Sequence, residues 1–408
     1  MREKEGTLLR VVIVGNGIAG IMVAAKLRAL EPDEGKLALE IYTREPIEYY
    51  SRIRLPEIFS SRLGAEDLEI YKPSWYEQKH INVFKNQDVV RIDPARTQVY
   101  TKNGTAIPYD ELVLATGADS YKPPIKNVDL DGVFTIREYG DADAIRRYLT
   151  LGTKHAVVVG GGLLGLEAAR FLQVPEVQDV TIVEIMPRLL PKQLDDTGSR
   201  ILQSVIEGSQ CFVRLGVEVA AFLGDTKVRG LQLADGRELP CETALISAGI
   251  TPRIGLARDA GLKVRRGVIV DEHLHTSVEH VWAAGDIAEF QGIVWGIIPA
   301  AMDHAPVVAA NILGREPVVY RQTIPQNTLK IAGMNVTSIG KVVFEKGEAT
   351  RFQVIDKADN TAKRYEKYVL SNGSLVGCIL LGSRDNFTFA TQHIGKPVTA
   401  EEVRIRLW

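Results

Sequence analysis

The chain has 408 residues, a length that indicates about two to three domains rather than a single hydrophobic core. Hydrophobic residues make up 45% and charged residues 25% of the chain, as in ordinary globular proteins. The formal net charge is −2, which gives no reason to expect nucleic acid or an anionic membrane as a partner.

The cysteines and the apolar runs narrow the class further. Three cysteines, with no CxxC pair among them, exclude a disulfide scaffold and a thiolate zinc or iron–sulfur site. No window approaches the roughly 18 uninterrupted apolar residues of a membrane span. The N-terminus is charged and shows no signal-peptide pattern, so we expect a cytoplasmic protein without membrane insertion.

Two segments of the chain repeat one plan. Each begins with an apolar run that ends in glycines, VVIVGNGIAG at 11–20 and AVVVGGGLLG at 156–165. A helical stretch and another short apolar run follow each of them. Strand, turn, helix and strand in that order predict a parallel α/β architecture.

The repetition continues along the chain. Residues 99–117 and 231–249 each contain a turn dipeptide, Asn-Gly or Asp-Gly, between strand-like runs, and a third strand follows. Two such units imply two dinucleotide sites. From about residue 326 the pattern changes to alternating strands, which predicts a separate small α+β domain.

The glycine-rich turns predict phosphate binding. The spacing GxGxxG lies between a strand and a helix at Gly15, Gly17 and Gly20, and again at Gly160, Gly162 and Gly165. The first glycine permits the tight turn, the second lets the backbone approach a pyrophosphate, and the third lets helix and strand pack closely. The helix N-terminus adds partial positive charge. A pair of such turns in this context predicts two bound dinucleotides.

An acidic residue at the end of the second strand of each unit is expected to hold the adenosine ribose hydroxyls. In the second unit this residue is Glu184, whose charge repels a 2′-phosphate and favours NADH over NADPH. Arg188, of opposite charge, lies past the strand end. In the first unit we expect Glu45, with Arg44 beside the adenine half, and we interpret Glu40 as a surface-facing strand carboxylate.

These motifs resemble the FAD/NAD(P) oxidoreductases with two dinucleotide folds, the pyridine nucleotide–disulfide reductase-like flavoproteins. YDELVLATGA, ISAGITP and VWAAGDIAEF follow in the family's order, and the resemblance covers nearly the whole chain. YYSRIRL and LKIAGMNVTSIG look most like NADH-dependent rubredoxin reductases and the flavoprotein part of nitrite reductases. The resemblance implies two Rossmann-like domains, as in glutathione reductase. These are a discontinuous FAD-binding domain (1–121 and 247–325) and an NADH-binding domain (122–246), followed by the small C-terminal domain (326–408).

The resemblance also assigns residues to the two cofactors. For FAD it implies Gly15, Gly17, Ile18, Ala19, Gly20, Arg44, Glu45, Arg52, Val90, Ala115, Thr116, Gly117, Arg137, Gly285, Asp286 and Pro299. For NADH it implies Gly160, Gly162, Leu163, Leu164, Gly165, Glu167, Glu184, Ala248 and Gly249. Two of these residues are the candidate catalytic ones. Glu167 is expected to help place the nicotinamide, and Arg52 to lie near the flavin.

Several of these assignments have a plainer alternative. Asp286 resembles a turn or cap aspartate, and Glu167 resembles a first-turn glutamate that the helix dipole stabilises. Arg137 is unremarkable as an arginine before a helix. Arg52 and Arg54 would otherwise pair with carboxylates such as Glu48 or Glu57.

The segment IIPAAMDHAPVVAANILG resembles the family helix whose N-terminus points at the flavin. Pro299 suits the first turn of that helix, whereas Pro306 should bend or restart it. The placement of His304 against the flavin is therefore open. We expect no metal at DEHLH and His280, because alternate residues of a strand point to opposite faces.

The cysteines decide the expected acceptor. Cys211, Cys241 and Cys378 lie away from the predicted flavin site, and Ser51 and Arg52 occupy the place of the family's single redox cysteine. Without a protein thiol to relay electrons, we expect an NADH-dependent reductase that passes them to rubredoxin, ferredoxin or a flavodiiron protein. The alternatives are an NADH oxidase or quinone reductase, a nitrite-reductase-type electron-transfer component, and a non-catalytic sensor of NADH/NAD balance.

Overall fold

A computed structural model describes residues 8–60, 63–209, 211–345 and 347–408, so the charged segment 1–7 lies outside the described residues. Within the described ranges, no helix is long and apolar enough to cross a membrane. The chain divides into two compact units. The first unit comprises Met1–Ser51, Leu63–Asp119 and Ile250–Thr323, and the second comprises Arg52–Arg62, Ser120–Gly249 and Ile324–Trp408.

The strands and helices are numbered here in chain order. The strands are β1 (Leu9–Val14), β2 (Leu37–Tyr42), β3 (Ile81–Phe84), β4 (Val89–Asp93), β5 (Gln98–Thr101), β6 (Ala106–Pro108), β7 (Glu111–Leu114), β8 (Ala118–Ser120), β9 (Val133–Thr135), β10 (His155–Val159), β11 (Asp179–Glu184), β12 (Cys211–Leu215), β13 (Val219–Leu223), β14 (Gly230–Leu233), β15 (Glu238–Pro240), β16 (Thr243–Ile246), β17 (Ile250–Pro252), β18 (Val268–Val270), β19 (Val281–Ala283), β20 (Ala288–Phe290), β21 (Gln326–Ile331), β22 (Met334–Gly340), β23 (Gln353–Asp359), β24 (Arg364–Ser371) and β25 (Ser374–Leu381). The α-helices are α1 (Ile18–Leu30), α2 (Ala65–Leu68), α3 (Pro73–Gln78), α4 (Tyr139–Leu149), α5 (Leu163–Phe171), α6 (Asp196–Ile206), α7 (Gly255–Asp259), α8 (Ile298–Ile312), α9 (Phe387–His393) and α10 (Ala400–Arg406). Short 3₁₀ segments lie at Arg52–Ser60, Pro94–Arg96, Glu207–Ser209, Gly285–Ile287 and Ala349–Arg351.

The first unit is built on a parallel sheet with the strand order β19-β7-β1-β2-β3. Its central strand β1 is apolar on both faces, and Val11, Val12 and Ile13 are fully buried. Such a run is typical of a parallel strand whose sheet is covered on both sides. The helices α1 and α8 pack against each other, and β4, β5 and β6 form an antiparallel sheet.

The second unit repeats this plan. Its parallel sheet has the order β12-β11-β10-β16-β9, and β13, β14 and β15 form the antiparallel sheet that corresponds to β4–β6. The two predicted hairpin turns are confirmed: Gly104 and Gly236 both take φ of +87°, a conformation that favours glycine. The predicted parallel α/β class is therefore confirmed.

The second unit also contains the predicted small α+β part. Five antiparallel strands pair in the order β21-β22-β25-β24-β23, and α9 and α10 pack against this sheet. Ile339, Tyr368 and Cys378 are fully buried within its core. The alternating pattern predicted these strands because one face of an antiparallel sheet must be apolar.

The helix α8 corrects one expectation. It runs from Ile298 to Ile312 with Pro306 inside it, so of the two effects expected of this proline, a bend or a restart, the restart does not occur. Proline removes one backbone hydrogen bond, yet Ala301, Ala305 and Ala309 are buried, and α8 packs with α1. This burial holds the helix together across the missing bond.

Candidate functional site

The first glycine turn (residues 15–20) closes tightly on its own unit. Gly15 has φ of +113°, and a Cβ there would lie 2.3 Å from the Ala115 carbonyl oxygen. A Cβ on Gly20 would lie 2.0 Å from the Gly15 oxygen, so α1 can approach the turn only because this residue is glycine. A Cβ on Gly17 would meet nothing within 4 Å. The open side of the turn is therefore at Gly17.

The second glycine turn (residues 160–165) has the same geometry. Gly160 has φ of +122°, and a Cβ there would lie 2.3 Å from the Ser247 oxygen. A Cβ on Gly165 would lie 2.1 Å from the Gly160 oxygen, whereas one on Gly162 would meet nothing within 4 Å. The two turns therefore close and open at corresponding residues.

Both turns leave a helix N-terminus ready for an anion. Gly17 is the N-cap of α1 and Gly162 is the N-cap of α5, and neither cap makes a side-chain hydrogen bond. The first N–H groups of a helix have no partner within the helix, and they carry partial positive charge. Each turn therefore combines open space with free donors, which is the arrangement that a pyrophosphate requires.

Glu184 ends β11 beside the second glycine turn. Its Oε2 accepts the N–H of Gly161 at 2.6 Å, and its Oε1 accepts the N–H of Met186 at 2.7 Å. The residue is only 7% exposed. Glu184 thus holds the glycine turn directly, a role that sequence reasoning did not include beside its predicted contact with the ribose.

Arg188 does not act as an opposing charge at this site. Its Nε donates to the Leu194 carbonyl at 3.1 Å and its Nη2 donates to the Pro191 carbonyl at 3.2 Å. Its Nη1 donates to Asp196 at 3.2 Å. The guanidinium is therefore engaged in shaping the loop before α6.

The two acidic residues of the first unit have different surroundings, and Glu40, expected to face the surface, is only 17% exposed. Glu45 follows β2, and its Oε2 accepts the hydroxyl hydrogen bond of Tyr50. Glu40 lies within β2, where Arg10 is 3.7 Å away and the Tyr42 hydroxyl donates to it at 3.0 Å. Glu45 lies three residues past the end of β2, whereas Glu184 is the last residue of β11, so the contact of Glu45 with a ribose stays a prediction.

Arg253 braces the turn Ala115–Thr116–Gly117, and sequence reasoning missed it. Its Nη1 donates to the Thr116 carbonyl at 3.1 Å, and its backbone N–H donates to the Gly117 carbonyl at 3.0 Å. Its guanidinium also pairs with Asp119 at 2.6 Å, and Arg44 lies 3.8 Å from the same carboxylate. The only sequence signal was its position directly after ISAGITP.

Gly285 and His304 meet at the first turn of the 3₁₀ segment Gly285–Ile287. Gly285 has φ of +79°, and a Cβ there would lie 2.7 Å from the Ala19 side chain. The Nδ1 of His304 accepts the Gly285 N–H at 3.1 Å, and its ring lies edge-on to Tyr320 at 4.5 Å. His304 is therefore a buried support of the Gly285–Asp286 turn.

His304 should make the stability of the folded protein depend on pH. Burial lowers the pKa of His304 to about 4, against the opposing effect of Asp286. As pH falls below about 6.5, the unfolded chain takes up this proton first, so the folded state loses about 3 kcal/mol by pH 4. We expect His304→Gln to flatten the fall of Tm between pH 7 and pH 4.5, and thermal unfolding across that range measures it.

A histidine with the opposite shift serves as the control. The pKa of His280 is raised because its Nδ1 hydrogen-bonds the Glu111 carboxylate at 2.8 Å. This partly exposed pair stabilises the fold at low pH, so His280→Gln should make the loss of stability in acid slightly steeper. A Gln variant at 304 that keeps the wild-type slope would contradict the assignment.

Glu167 lies on α5, directly after the second glycine turn. Burial raises its pKa, the nearby Glu57 raises it further, and Arg170 opposes both effects. Glu57 comes from the 3₁₀ segment Arg52–Ser60, which packs against α4 and α5. That segment therefore belongs to the same unit as Glu167, a grouping that the sequence did not indicate.

Arg54 pairs with Glu57, one of the two carboxylates expected if Arg52 and Arg54 serve only as ion-pair partners. Its Nε lies 3.1 Å from the Glu57 carboxylate, and its Nη2 lies 2.8 Å from the same group. Glu48, the other named candidate, pairs with Lys85 at 2.9 Å. The role of Arg52 beside a flavin stays a prediction.

Three other predicted cofactor contacts, Val90, Ala248 and Gly249, are exposed within their own units. The Val90 side chain is 51% exposed on β4, and Ala248 and Gly249 are exposed after β16. Arg137 precedes α4, and its backbone N–H donates to Asp141 at 2.9 Å. Their contacts with FAD or NADH stay predictions.

The histidines and cysteines contact ordinary partners. His273 Nδ1 lies 3.1 Å from the Val318 carbonyl, and the His275 ring packs on Trp282. Over the described part of the chain, no group of three or more His, Cys, Asp or Glu could hold a metal ion. The three thiols are all buried and unpaired, and burial raises the pKa of Cys211 and of Cys241 to about 12.

The first unit fits FAD on its own geometry. Asn16 Oδ1 and Thr116 Oγ1 are buried and have no hydrogen-bond partner among the described residues. Asn16 stands between Gly15 and Gly17 in the first glycine turn. Thr116 adjoins the same turn, because a Cβ on Gly15 would lie 3.3 Å from the Thr116 backbone nitrogen. Buried polar atoms are rarely left unsatisfied, so these two atoms indicate that a polar ligand completes the site.

Comparison with known proteins gives the class. A family model described as pyridine nucleotide-disulphide oxidoreductase matches residues 9–308, and one described as rubredoxin NAD+ reductase C-terminal domain matches residues 325–396. The chain belongs to the pyridine nucleotide-disulphide oxidoreductase family, whose members are FAD-containing enzymes that use NADH or NADPH. The predicted family is confirmed, and so is the prediction of FAD together with a nicotinamide dinucleotide as its cofactors.

Individual relatives match more than nine tenths of the chain. It is 33% identical over 377 residues to the nitrite reductase [NAD(P)H] of Bacillus subtilis, which is 91% of this chain and 45% of that protein. It is 33% identical over 407 residues to the ferredoxin–NAD(+) reductase component of the biphenyl dioxygenase system of Paraburkholderia xenovorans, which is 97% of this chain and 95% of that one. A ferredoxin reductase crystal structure from Rhodopseudomonas palustris matches with a TM-score of 0.85 and 26% identity over 96% of both chains. The chain spans less than half the length of the nitrite and nitrate reductase relatives that it matches.

Proposed function

We propose that this protein is an NADH-dependent FAD flavoprotein reductase that passes electrons to a small redox protein such as rubredoxin. The observation that carries the proposal is the pair of matching glycine turns, each with an open second glycine and an uncapped helix N-terminus. Two such turns support two dinucleotides, one in each unit. FAD, when bound, supplies the ability to take two electrons from NADH and release them one at a time.

The residues of the chain would bind and orient rather than carry out acid–base chemistry. The first glycine turn, Glu45 and the Gly285–Asp286 turn would hold FAD. The second glycine turn and Glu184 would hold NADH, with Glu167 placing the nicotinamide. The buried Glu184 carboxylate favours NADH because its charge would repel a 2′-phosphate.

The choice of acceptor rests on the thiols and on the C-terminal part. All three cysteines are buried in the second unit, at β12, before β16 and on β25, so none is presented as a redox pair. Residues 325–396 match the C-terminal domain of rubredoxin NAD+ reductases, which supports rubredoxin as the acceptor. Ferredoxin is supported by the relatives that are named as ferredoxin reductases.

A second candidate acceptor comes from the longer relatives. The chain matches a nitrite reductase over 91% of itself. It would then act as the electron-entry part of a nitrite-reducing system. This candidate function differs from the first only in the acceptor that takes the electrons from the reduced flavin.

Anaerobic mixing with NADH tests the proposal. We expect the absorbance of the bound flavin to bleach within seconds and to return when rubredoxin is added. Ferredoxin, a quinone and oxygen are added in parallel as the other acceptors. A flavin that stays oxidised with NADH would sink the enzyme hypothesis, and reoxidation by oxygen or quinone alone would overturn the choice of a protein acceptor.

A further inference from the structure

Asp195 connects the helix α6 to the C-terminal sheet within the second unit. It is the N-cap of α6, and its Oδ1 accepts the N–H of Gly198 at 3.0 Å. Its Oδ2 accepts the Tyr365 hydroxyl at 2.7 Å and the Lys367 ammonium at 2.8 Å. One carboxylate oxygen is therefore bound by its own helix, and the other by β24 of the C-terminal part.

The β24 side of this contact is buried, whereas the Asp195 side chain is still 24% exposed. Tyr365 is 1% and Lys367 is 5% exposed, and the Lys367 ammonium also donates to the Val342 carbonyl at 3.0 Å. A Cβ on Gly198 would come within 3.3 Å of the Tyr365 ring, so α6 and β24 pack closely. Removing one partner of a buried charge pair is costly because the other charge is left uncompensated. We call Asp195, Tyr365 and Lys367 the clasp.

A bracing loop (residues 185–195) connects the clasp to the second glycine turn. The Leu190 N–H donates to the Gly161 carbonyl at 2.9 Å, and the Leu190 carbonyl accepts the Leu194 N–H at 2.8 Å. Leu190 is fully buried and takes φ of +48°, a strained conformation that only its surroundings can maintain. The guanidinium of Arg188 closes the loop on the Leu194 carbonyl.

Gly161 is consequently held from two sides. Its N–H donates to Glu184 at 2.6 Å, and its carbonyl accepts the N–H of Leu190 from the bracing loop. Gly161 stands between Gly160 and Gly162, in the turn where a pyrophosphate would lie. The position of this turn therefore depends on a loop whose far end is anchored by the clasp.

We propose that the C-terminal part of the chain positions the NADH-binding turn, because Tyr365 and Lys367 anchor Asp195 and, through the bracing loop, Gly161. This inference rests on the proposed function only in taking the second glycine turn as the NADH site. Tyr365, Lys367 and Asp195 are positioning residues, since they touch the loop and not the nucleotide. The C-terminal part thus contributes to nucleotide affinity as well as to any acceptor surface.

Two variants of different severity test the proposal in the full-length, FAD-loaded protein. Tyr365→Phe removes one hydrogen bond and keeps the ring, and Lys367→Met removes the charge and keeps the apolar stem. The matched control is Lys363→Met, because the Lys363 ammonium donates to Ser204 on α6 at 2.9 Å without touching Asp195. The readouts are the Kd of NAD⁺ by calorimetry, the KM for NADH and kcat with ferricyanide, and the FAD content.

We expect the Kd of NAD⁺ and the KM for NADH to rise about threefold in Tyr365→Phe and about tenfold in Lys367→Met, the size of one hydrogen bond to a charged group. FAD content and kcat at saturating NADH should stay within about twofold of the wild type, and Lys363→Met should match the wild type. Hydrogen exchange at residues 187–194 should increase in Tyr365→Phe. A purely structural attachment of the C-terminal part would lower Tm and leave the NAD⁺ affinity and the exchange of this loop unchanged.

The double variant Asp195→Asn/Lys367→Met removes both charges of the clasp. It therefore distinguishes the loss of the anchor on the bracing loop from the cost of leaving the Asp195 charge unpaired. If anchoring matters, NAD⁺ binding stays weak when both charges are removed, and full recovery of affinity would overturn the proposal. Should Lys367→Met fail to fold, Tyr365→Phe still decides the question by its Kd and its exchange. A wild-type protein that binds no NAD⁺ would instead refute the proposed function.

Discussion

Replacing Gly160 with alanine is expected to slow the reduction of the bound flavin by NADH strongly while the FAD content stays unchanged. The added Cβ would lie 2.3 Å from the Ser247 oxygen, and Gly160 has φ of +122°, which other residues rarely adopt. The turn must therefore move, and a displacement near 1 Å costs about 100-fold in rate. We expect kcat/KM for NADH to fall at least about 100-fold in anaerobic stopped-flow mixing.

Two other glycines make this prediction specific. Gly208 lies outside the turn with nothing within 4 Å of a Cβ, so Gly208→Ala should behave as wild type. Gly162→Ala also meets nothing within 4 Å, so it should keep the wild-type Tm and lose NADH affinity only by crowding the nucleotide. If Gly160→Ala reduced its flavin within threefold of the wild-type rate, the second glycine turn would not be the NADH site.

Glu184→Gln is expected to raise the KM for NADH about tenfold and to reduce the preference for NADH over NADPH by a similar factor. Both carboxylate oxygens accept backbone N–H groups, at 2.6 Å from Gly161 and 2.7 Å from Met186. An amide offers one acceptor oxygen, so one of these N–H groups loses its partner. The charge that would repel a 2′-phosphate is lost as well.

The matched control for this change is Glu207→Gln, which alters an exposed glutamate at the end of α6. Steady-state kinetics with NADH and with NADPH measure both variants. A Glu184→Gln protein with the wild-type ratio of kcat/KM values would refute the assignment of the ribose to Glu184. If the ratio falls in Glu184→Gln and stays unchanged in Arg188→Met, the result would agree with the engagement of the Arg188 charge in its own loop, away from a 2′-phosphate.

Much of the local structure was predictable because a few neighbouring residues encode it. Glycines at fixed spacing specify the two turns, and the dipeptides at Asn103–Gly104 and Asp235–Gly236 specify the hairpins. Alternating apolar residues specify the C-terminal strands. The strength of each signal lies in short-range geometry, which does not depend on the rest of the chain.

The contacts that support the site were not predictable in this way. Arg253 reaches Asp119 across 134 residues, and Tyr365 reaches Asp195 across 170 residues. The helix α8 continues through Pro306 instead of restarting there, because packing with α1 outweighs one missing hydrogen bond. A lone arginine, tyrosine or proline carries no signal of its distant partner.

The sequence by itself determined that the chain has two dinucleotide-type units and a small α+β part, and it indicated the family to which the chain belongs. It also placed the three cysteines away from the first glycine turn, which directed the proposal toward an electron-transfer reductase. Only the tertiary structure decided that Glu184 holds the turn with both oxygens, that His304 supports Gly285, and that the clasp ties the C-terminal part to the bracing loop. These arrangements depend on groups far apart in the chain, which meet only when burial brings them together.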